Sequence, residues 1–290
     1  MAIKNFFEKR QSAFFEELVF DWGVIAFCLA LMGYFSSICA TIALMPLLVN
    51  RQYALPIVGH EGVHFSISEN KKWNDFVAQL FCFLPICGNL YSYRRFHIAH
   101  HVHVNTNKDP EFNHLCHFQQ EWATPIKAKS ILKFVLKDIF LLRSLVNIFW
   151  VIRISGPKNA REILPILIFH SITHTALYLC GMSWLSLVWI ISLLTFFWPF
   201  FRLRIWIEHK ATPNTHRIHL NWFWQFLIAP HNIWVHYEHH KAAAVPFYNL
   251  IKFRKYLDAD LPIMTFEEFL KYLAQTKSEL PAIESLLQIK

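Results

Sequence analysis

Residues 163–201 read ILPILIFHSITHTALYLCGMSWLSLVWIISLLTFFWPFF, without one Asp, Glu, Lys or Arg. A helix crosses a bilayer with about 20 apolar residues, so this stretch holds two spans and a turn, placed near Cys180–Trp184. Residues 18–49, LVFDWGVIAFCLALMGYFSSICATIALMPLLV, carry a single charge at Asp21 and read the same way, with a turn near Gly33–Ser37. The second span of this pair continues through Arg51 toward Gly59. Composition agrees: the 290 residues are 54% hydrophobic and 17% aromatic, with mean hydropathy +0.28, above the range of an ordinary soluble domain. The expected fold is an all-α integral membrane protein, with four transmembrane helices arranged as two hairpins.

Charge placement orients these hairpins. Lys4, Lys9 and Arg10 precede the first block, a run of basic residues from Arg51 to Arg161 lies between the blocks, and Arg202 and Arg204 follow the second. Neither turn holds a Lys or Arg. By the positive-inside rule, both termini and the central segment are cytoplasmic. The net charge of +8 suits a basic face against anionic headgroups. Because that charge is spread beside apolar spans instead of gathered in a basic domain, nucleic acid is not an expected partner.

The cytoplasmic side is where the histidines fall. They occur as His60-Glu61-Gly62-Val63-His64, His97-Ile98-Ala99-His100-His101 and His236-Tyr237-Glu238-His239-His240, with His209 alone in Ile207-Glu208-His209-Lys210. Residues three and four apart share a helix face, so each box is expected to aim all or most of its imidazoles at one point. Neutral imidazole is the commonest ligand for redox-active and borderline divalent metals. Three such boxes on one chain predict a metal site held by a cytoplasmic helical cap.

The remaining segments carry less information. Residues 1–17 read as an amphipathic lead-in with no cleavable signal peptide. Segment 76–90 is too short and too interrupted by Pro and Gly for a span, and is expected as a buried or interfacial helix. Segment 130–152 sets Lys133, Lys137 and Arg143 among bulky apolar residues, and reads as one helix lying in the membrane surface. No repeat or linker marks a second domain, so residues 1–290 are taken as one. The six cysteines show no CxxC spacing and read as reduced packing residues.

These motifs together resemble the membrane fatty acid desaturase superfamily, whose pattern is HxxxH, HxxHH and (H/Q)xxHH around two transmembrane hairpins. The likeness extends to Arg51-Gln52-Tyr53-Ala54-Leu55 before the first box and to Tyr93-Arg94-Arg95-Phe96 before the second. Asn105, Asn107, Asp109, Pro110 and Glu111 trail the second box in the family manner, and Val245-Pro246-Phe247-Tyr248-Asn249-Leu250 trails the third. It covers residues 50 to 250 approximately. One departure is Lys241-Ala242-Ala243-Ala244, where the family usually carries Leu-Phe-Pro.

The resemblance implies two non-haem irons activating O2, with His60, His64, His97, His100, His101, His209, His236, His239 and His240 as ligands. It implies a desaturase-type oxidoreductase acting on a lipid or fatty acyl chain, fed by a separate electron donor of the ferredoxin, rubredoxin or cytochrome b5 type. Glu61, Asn105, Asp109, Glu208, Asn232 and Glu238 are the candidates to accept from the free ring N–H of the ligands. Hydroxylation or ketolation of a lipid, carotenoid or alkane is the alternative on the same scaffold. A metal-binding or transport protein is a third reading, disfavoured because a transporter places polar ligands near mid-membrane.

The other histidines read differently. His170 and His174, four apart within the third span, read as a bundle hydrogen bond or a substrate-channel pair. His103 and His231 read as neighbours that orient ligands, and His114, His117, His216 and His219 as surface residues. The tryptophans at 184, 189, 198, 206, 222, 224 and 234 read mostly as an interface belt, and Phe196–Phe201 either as walls of an acyl tunnel or as packing between spans.

Overall fold

The computed structural model describes residues 3–118, 122, 125–257 and 261–276. It is mostly helical. After a 3₁₀ turn at Ile3–Phe7, helices α1 (Gln11–Phe35) and α2 (Ile38–Val63) pack against each other across a two-residue break. Ser36 makes that break in the left-handed region (φ 44°), returning its N–H to the Met32 carbonyl. α2 keeps going past Arg51, as the apolar pattern predicts, and its last turn carries the first histidine box.

The chain next forms α3 (Lys71–Ala78), whose first turn is capped by the Asn70 side chain accepting from Lys72 and Trp73 N–H. Two glycines bring this segment close to the end of α2. A Cβ on Gly59 would lie 2.5 Å from the Cys82 Cβ, and one on Gly62 would lie 2.3 Å from the Ala78 Cβ. Close backbone approach through small residues is the usual solution for packing in lipid.

Segment 76–90 is largely buried, as one of the two expected placements had it, but it is not one helix; it belongs to a bent pair, Lys71–Ile86 with Leu90–His103, apolar enough together to count as a broken span or a re-entrant loop. α3 loosens into a π turn at Gln79–Phe83 and a 3₁₀ turn at Leu84–Ile86, and the chain then bends by 95° into α4 (Leu90–His103). Cys87 takes the left-handed conformation at the elbow (φ 59°). Two side chains hold the restart: Asn89 accepts from Tyr91 and Ser92 N–H, and Gln79 Oε1 accepts from Leu90 N–H at 2.7 Å.

Helix α5 (Pro110–Phe118) follows. The single surface helix expected over 130–152 is two helices, α6 (Ala128–Ile139) and α7 (Ser144–Ser155). The cause is Asp138, which turns inward to receive Arg202 Nε at 2.6 Å and Arg202 Nη2 at 2.8 Å. Ser144 Oγ then donates to the Asp138 carbonyl, and Leu141 takes φ 61° to make the turn. Outside, Leu132, Phe140, Leu145 and Phe149 stay exposed, which keeps the pair suited to a membrane surface.

Helix α8 (Ala160–Leu179), capped by Asn159, leads through a short turn to α9 (Trp184–Leu194) and α10 (Phe197–His209). Among the described residues, four unbroken stretches are long and apolar enough to cross a membrane: Ile3–Phe35, Ile38–Val63, Ala160–Leu179 and Trp184–His209. His209 is therefore the last residue of the fourth stretch. Arg202 and Arg204 are also inside that stretch, on α10.

The described residues after α10 fold over the histidine end. Short helices α11 (Trp222–Ile228), α12 (His236–Lys241), α13 (Phe247–Phe253) and α14 (Phe266–Gln275) are tied by a two-residue parallel bridge between β1 (Ile218–His219) and β2 (Met264–Thr265). Trp206 and Trp234, expected in an interface belt, are 1% and 3% exposed and belong to the core of this region.

A buried ionic cluster ties this region to the spans. Asp21 of α1 receives Arg51 Nη1 of α2 at 3.0 Å and His231 Nε2 at 2.8 Å, while Glu17 faces His231 Nδ1 at 3.2 Å. The two acids hold the His231 imidazole up, at about 9, against the opposing effect of burial. His231 is thus a brace onto α1 and not the orienting neighbour of a metal ligand.

Candidate metal centre

The helices deliver all nine imidazoles of the boxes and of His209 to one end of the bundle. They gather at two points, not one. His60, His64, His97, His101 and His239 form one cluster and His100, His209, His236 and His240 the other, and within each the candidate ligand atoms lie within 4.8 Å of one another. The split follows from helix geometry. Residues four apart are about 40° apart around the axis, whereas adjacent ones are about 100° apart. In each HxxHH box the first and last histidines therefore pair, and the middle one turns to the other cluster.

Nitrogen spacing tests whether these clusters suit a metal. In the first, His97 Nε2 lies 2.7 Å from His60 Nε2, 3.1 Å from His64 Nε2 and 2.8 Å from His101 Nε2. A ring nitrogen has one proton or one lone pair, so it cannot satisfy three nitrogens by hydrogen bonding. Neighbouring ligands on one ion at ~2.1 Å do sit about 3 Å apart. The second cluster repeats the spacing, with His236 Nε2 3.0 Å from both His209 and His240 Nε2. Both clusters are positioned to coordinate metal ions.

Protonation fits the same use. Burial, then the neighbouring imidazoles, hold His236, His239 and His240 well below the ordinary histidine range, so each is neutral and has a lone pair to give.

Hydrogen bonds at the far ring nitrogen set which lone pair that is. His100 Nδ1 lies 3.1 and 3.0 Å from the two Asp109 carboxylate oxygens and 3.3 Å from Glu111 Oε2. His209 Nδ1 faces the Asn214 carbonyl at 3.3 Å, whereas His236 Nδ1 makes no hydrogen bond, Glu208 Oε1 standing 3.6 Å away as the acid that faces it. Acceptors at Nδ1 fix the proton there and aim Nε2 inward. Asp109→Asn is accordingly expected to weaken metal binding or activity by about 10–100-fold, read by metal content after dialysis against a chelator. Unchanged retention would exclude an orienting role for Asp109.

Of the six polar residues expected to orient ligands, Asp109 and Glu208 face a ring. The other four hold the frame. Glu61 Oε2 accepts the Phe247 N–H, and Asn232 Nδ2 donates to the Phe247 carbonyl, so both secure the segment after the third box. Asn105 Nδ2 donates to the Thr212 and Asn214 carbonyls, and so places the carbonyl that meets His209. Glu238 is clamped by Arg217 and Arg254. Glu111, quoted in the sequence only as part of the motif trailing the second box, is the orienting acid that the sequence reading left out.

Two further histidines fall away from the clusters. His216 is buried, not on the surface: its Nε2 donates to the Lys210 carbonyl, and burial lowers it to about 4. His219 is exposed as expected. The side chains of His114 and His117 lie outside the described residues.

Beside the clusters is an apolar cavity of about 340 Å³, within the size range of small-molecule sites. Its wall near the imidazoles carries Tyr53, Tyr93, Glu111 and Arg204, and its membrane end carries Leu193, Leu194 and Phe197. Phe197, Trp198 and Phe201 of the aromatic run line it, while Phe200 stacks on Tyr53 from outside.

A helical chain with four apolar stretches and two convergent imidazole clusters is a membrane metalloenzyme scaffold. The fatty acid desaturase family matches residues 21–265, and the chain belongs to the fatty acid desaturase family. The protein is an oxidoreductase with histidine clusters suited to a diiron active site. No curated protein matches the chain.

Proposed function

We propose that the protein introduces a double bond into a fatty acyl chain, with two irons held by the nine imidazoles. His60, His64, His97, His101 and His239 hold one iron, and His100, His209, His236 and His240 the other. Iron bound there supplies the O2 activation that no side chain can. Two electrons and two protons leave the acyl chain, and a separate donor of the ferredoxin, rubredoxin or cytochrome b5 type gives two more electrons, taken up with two protons from water, so that O2 is reduced to two waters.

One observation carries the reading. Glu111 lines the cavity and also faces His100 at 3.3 Å, so a chain in the cavity runs directly past the imidazoles. Tyr53, Phe197, Trp198 and Phe201 confine that chain and exclude water, and confinement of neighbouring methylenes near the oxidant favours the alkene. The Arg204 Nε–Glu208 Oε1 bond, 2.7 Å long, holds the acid that faces His236.

The test is turnover of a defined acyl substrate by purified protein under ¹⁸O₂ with a reduced donor. An alkene lacking label, with the ¹⁸O recovered in water, is the expected outcome. Product carrying ¹⁸O would replace desaturation with hydroxylation or ketolation.

The proposal extends to placement. Residues 1–290 act as a single membrane domain with two hairpins, and both termini and the metal centre face the cytoplasm. The first box ends α2 and His209 ends α10, which supports one common face. Tags at residues 1 and 290 should then report the cytoplasm, with tags near Ser37 and Met182 reached only from outside. External labelling of either terminus would overturn the orientation.

A further inference from the structure

The third apolar stretch stands away from the bundle. Only 6% of its apolar window is buried, and between α8 and α9 lies an open groove of about 710 Å³. Its walls are apolar except at His170, His174, Cys87 and the three hydroxyls of Ser171, Thr175 and Tyr178. In a bilayer such a groove is filled by hydrocarbon, because water finds few partners there.

Two observations join the groove to the enzyme's interior. Cys87, Leu193 and Leu194 line the groove and also the cavity beside the imidazoles. These three side chains are the partition between bilayer and cavity, and it is thin: Cys87 is exposed and Leu194 is 40% exposed.

The polar set holds one side of this partition in place. Ser186 Oγ lies 2.9 Å from His174 Nδ1, His174 Nε2 lies 3.4 Å from His170 Nδ1, and His170 Nε2 lies 2.9 Å from the Leu84 carbonyl and 3.2 Å from Cys87 Sγ. One tautomer satisfies the series, with each donor pointing from α9 through α8 to the elbow. Trp189 Nε1 adds a bond to the Pro85 carbonyl at 3.0 Å. The 3₁₀ elbow leaves carbonyls that lipid cannot serve, and neighbouring helices serve them. His170 and His174 thus latch the elbow that carries Cys87.

We propose that the α8–α9 groove is a lateral portal through which the hydrocarbon chain of a membrane lipid passes between the bilayer and the metal-bearing cavity. Cys87, Leu193 and Leu194 form its door, and the His174–His170 relay its latch. The proposal rests on the desaturase reading for the fate of the chain, though not for its passage. It names the substrate class as acyl groups delivered from within the bilayer.

Iron-loaded protein in nanodiscs made with a phospholipid bearing a mid-chain diazirine provides the test. Illumination should place adducts on Leu193 and Leu194 at the door, Thr175 in the groove and Phe197 in the cavity. Leu194→Trp should keep the Thr175 adduct, lower the Phe197 adduct severalfold and slow turnover of phospholipid-borne chains. Leu193→Phe serves as a second door variant should the first misfold.

Phe197 adducts undiminished in both variants would overturn the portal. So would adducts spread evenly over the outer residues Leu164 and Ile172 with none at Phe197, or crosslinks from one copy's groove to a second copy. Labelling does not need turnover. Correct adducts without any desaturated product would therefore spare the portal and sink the desaturase reading alone.

Discussion

His239→Ala and His209→Ala, each in otherwise unchanged protein, will leave about one iron per chain and reduce activity by more than the roughly 100-fold seen when an orienting partner is lost. The reasoning is positional. His239 sits on α12 between His236 and His240, yet its Nε2 is 3.1 Å from His101 Nε2 in the other cluster. A box acting as one unit would lose the same metal whichever member is removed. A box shared between two clusters loses one metal when its middle residue goes and the other when its outer residues go. His236→Ala should therefore mimic His209→Ala, and His101→Ala should mimic His239→Ala. Iron content per chain and the spectroscopic signature of the remaining ion distinguish the two pairs. Two irons retained in both His239→Ala and His209→Ala would refute the ligand assignment.

The second large effect lies far from the metals. Asp21 is fully buried and faces both Arg51, 2% exposed, and His231. Removing one partner of a buried pair strands the other, at about 3–5 kcal/mol. Asp21→Ala strands Arg51 and leaves His231 with Glu17 alone, so its cost should fall within that range. Arg51 retains Asn50 and the Phe226 carbonyl, which does not replace a counter-charge. The comparison that isolates the charge is Asp21→Ala with Arg51→Met, expected to regain part of the loss. Thermal inactivation in detergent measures both. A single variant as stable as the parent protein would show that the pair contributes nothing.

The apolar blocks were enough to place four spans, and the continuation of α2 past Arg51 followed from its uninterrupted pattern. The histidines were equally legible as residues, because box spacing survives in the sequence. Helix phase alone separates His100 from His97 and His101. Which box then meets which was not legible, because it depends on where α10 and α12 bring their own imidazoles, and that is decided by packing.

The same limit explains the acids. Asp109 reaches the His100 ring from nine positions away, whereas Glu208 approaches His236 across 28 positions and Glu238 is captured by Arg217 and Arg254, twenty-one and sixteen residues away. Nothing local in His236–His240 announces that capture. The break at 140–143 is a further case: Asp138 looks like one polar residue on a surface helix until Arg202, 64 positions on, turns it inward.

The clamp on Glu238 has a consequence for the order in which this protein is made. Helix α12 has six residues, fewer than an isolated helix needs to hold its shape in water. Its three imidazoles are in register because Arg217, from the segment before it, and Arg254, from the segment after it, close on Glu238 at 2.7 and 2.9 Å. A nascent chain that has emerged only as far as His240 has both clusters' ligands in its sequence but lacks the second jaw of the clamp. Translation must run on past Arg254 before the imidazoles can stand in place, so the metals enter only after the apolar stretches that precede it have been made.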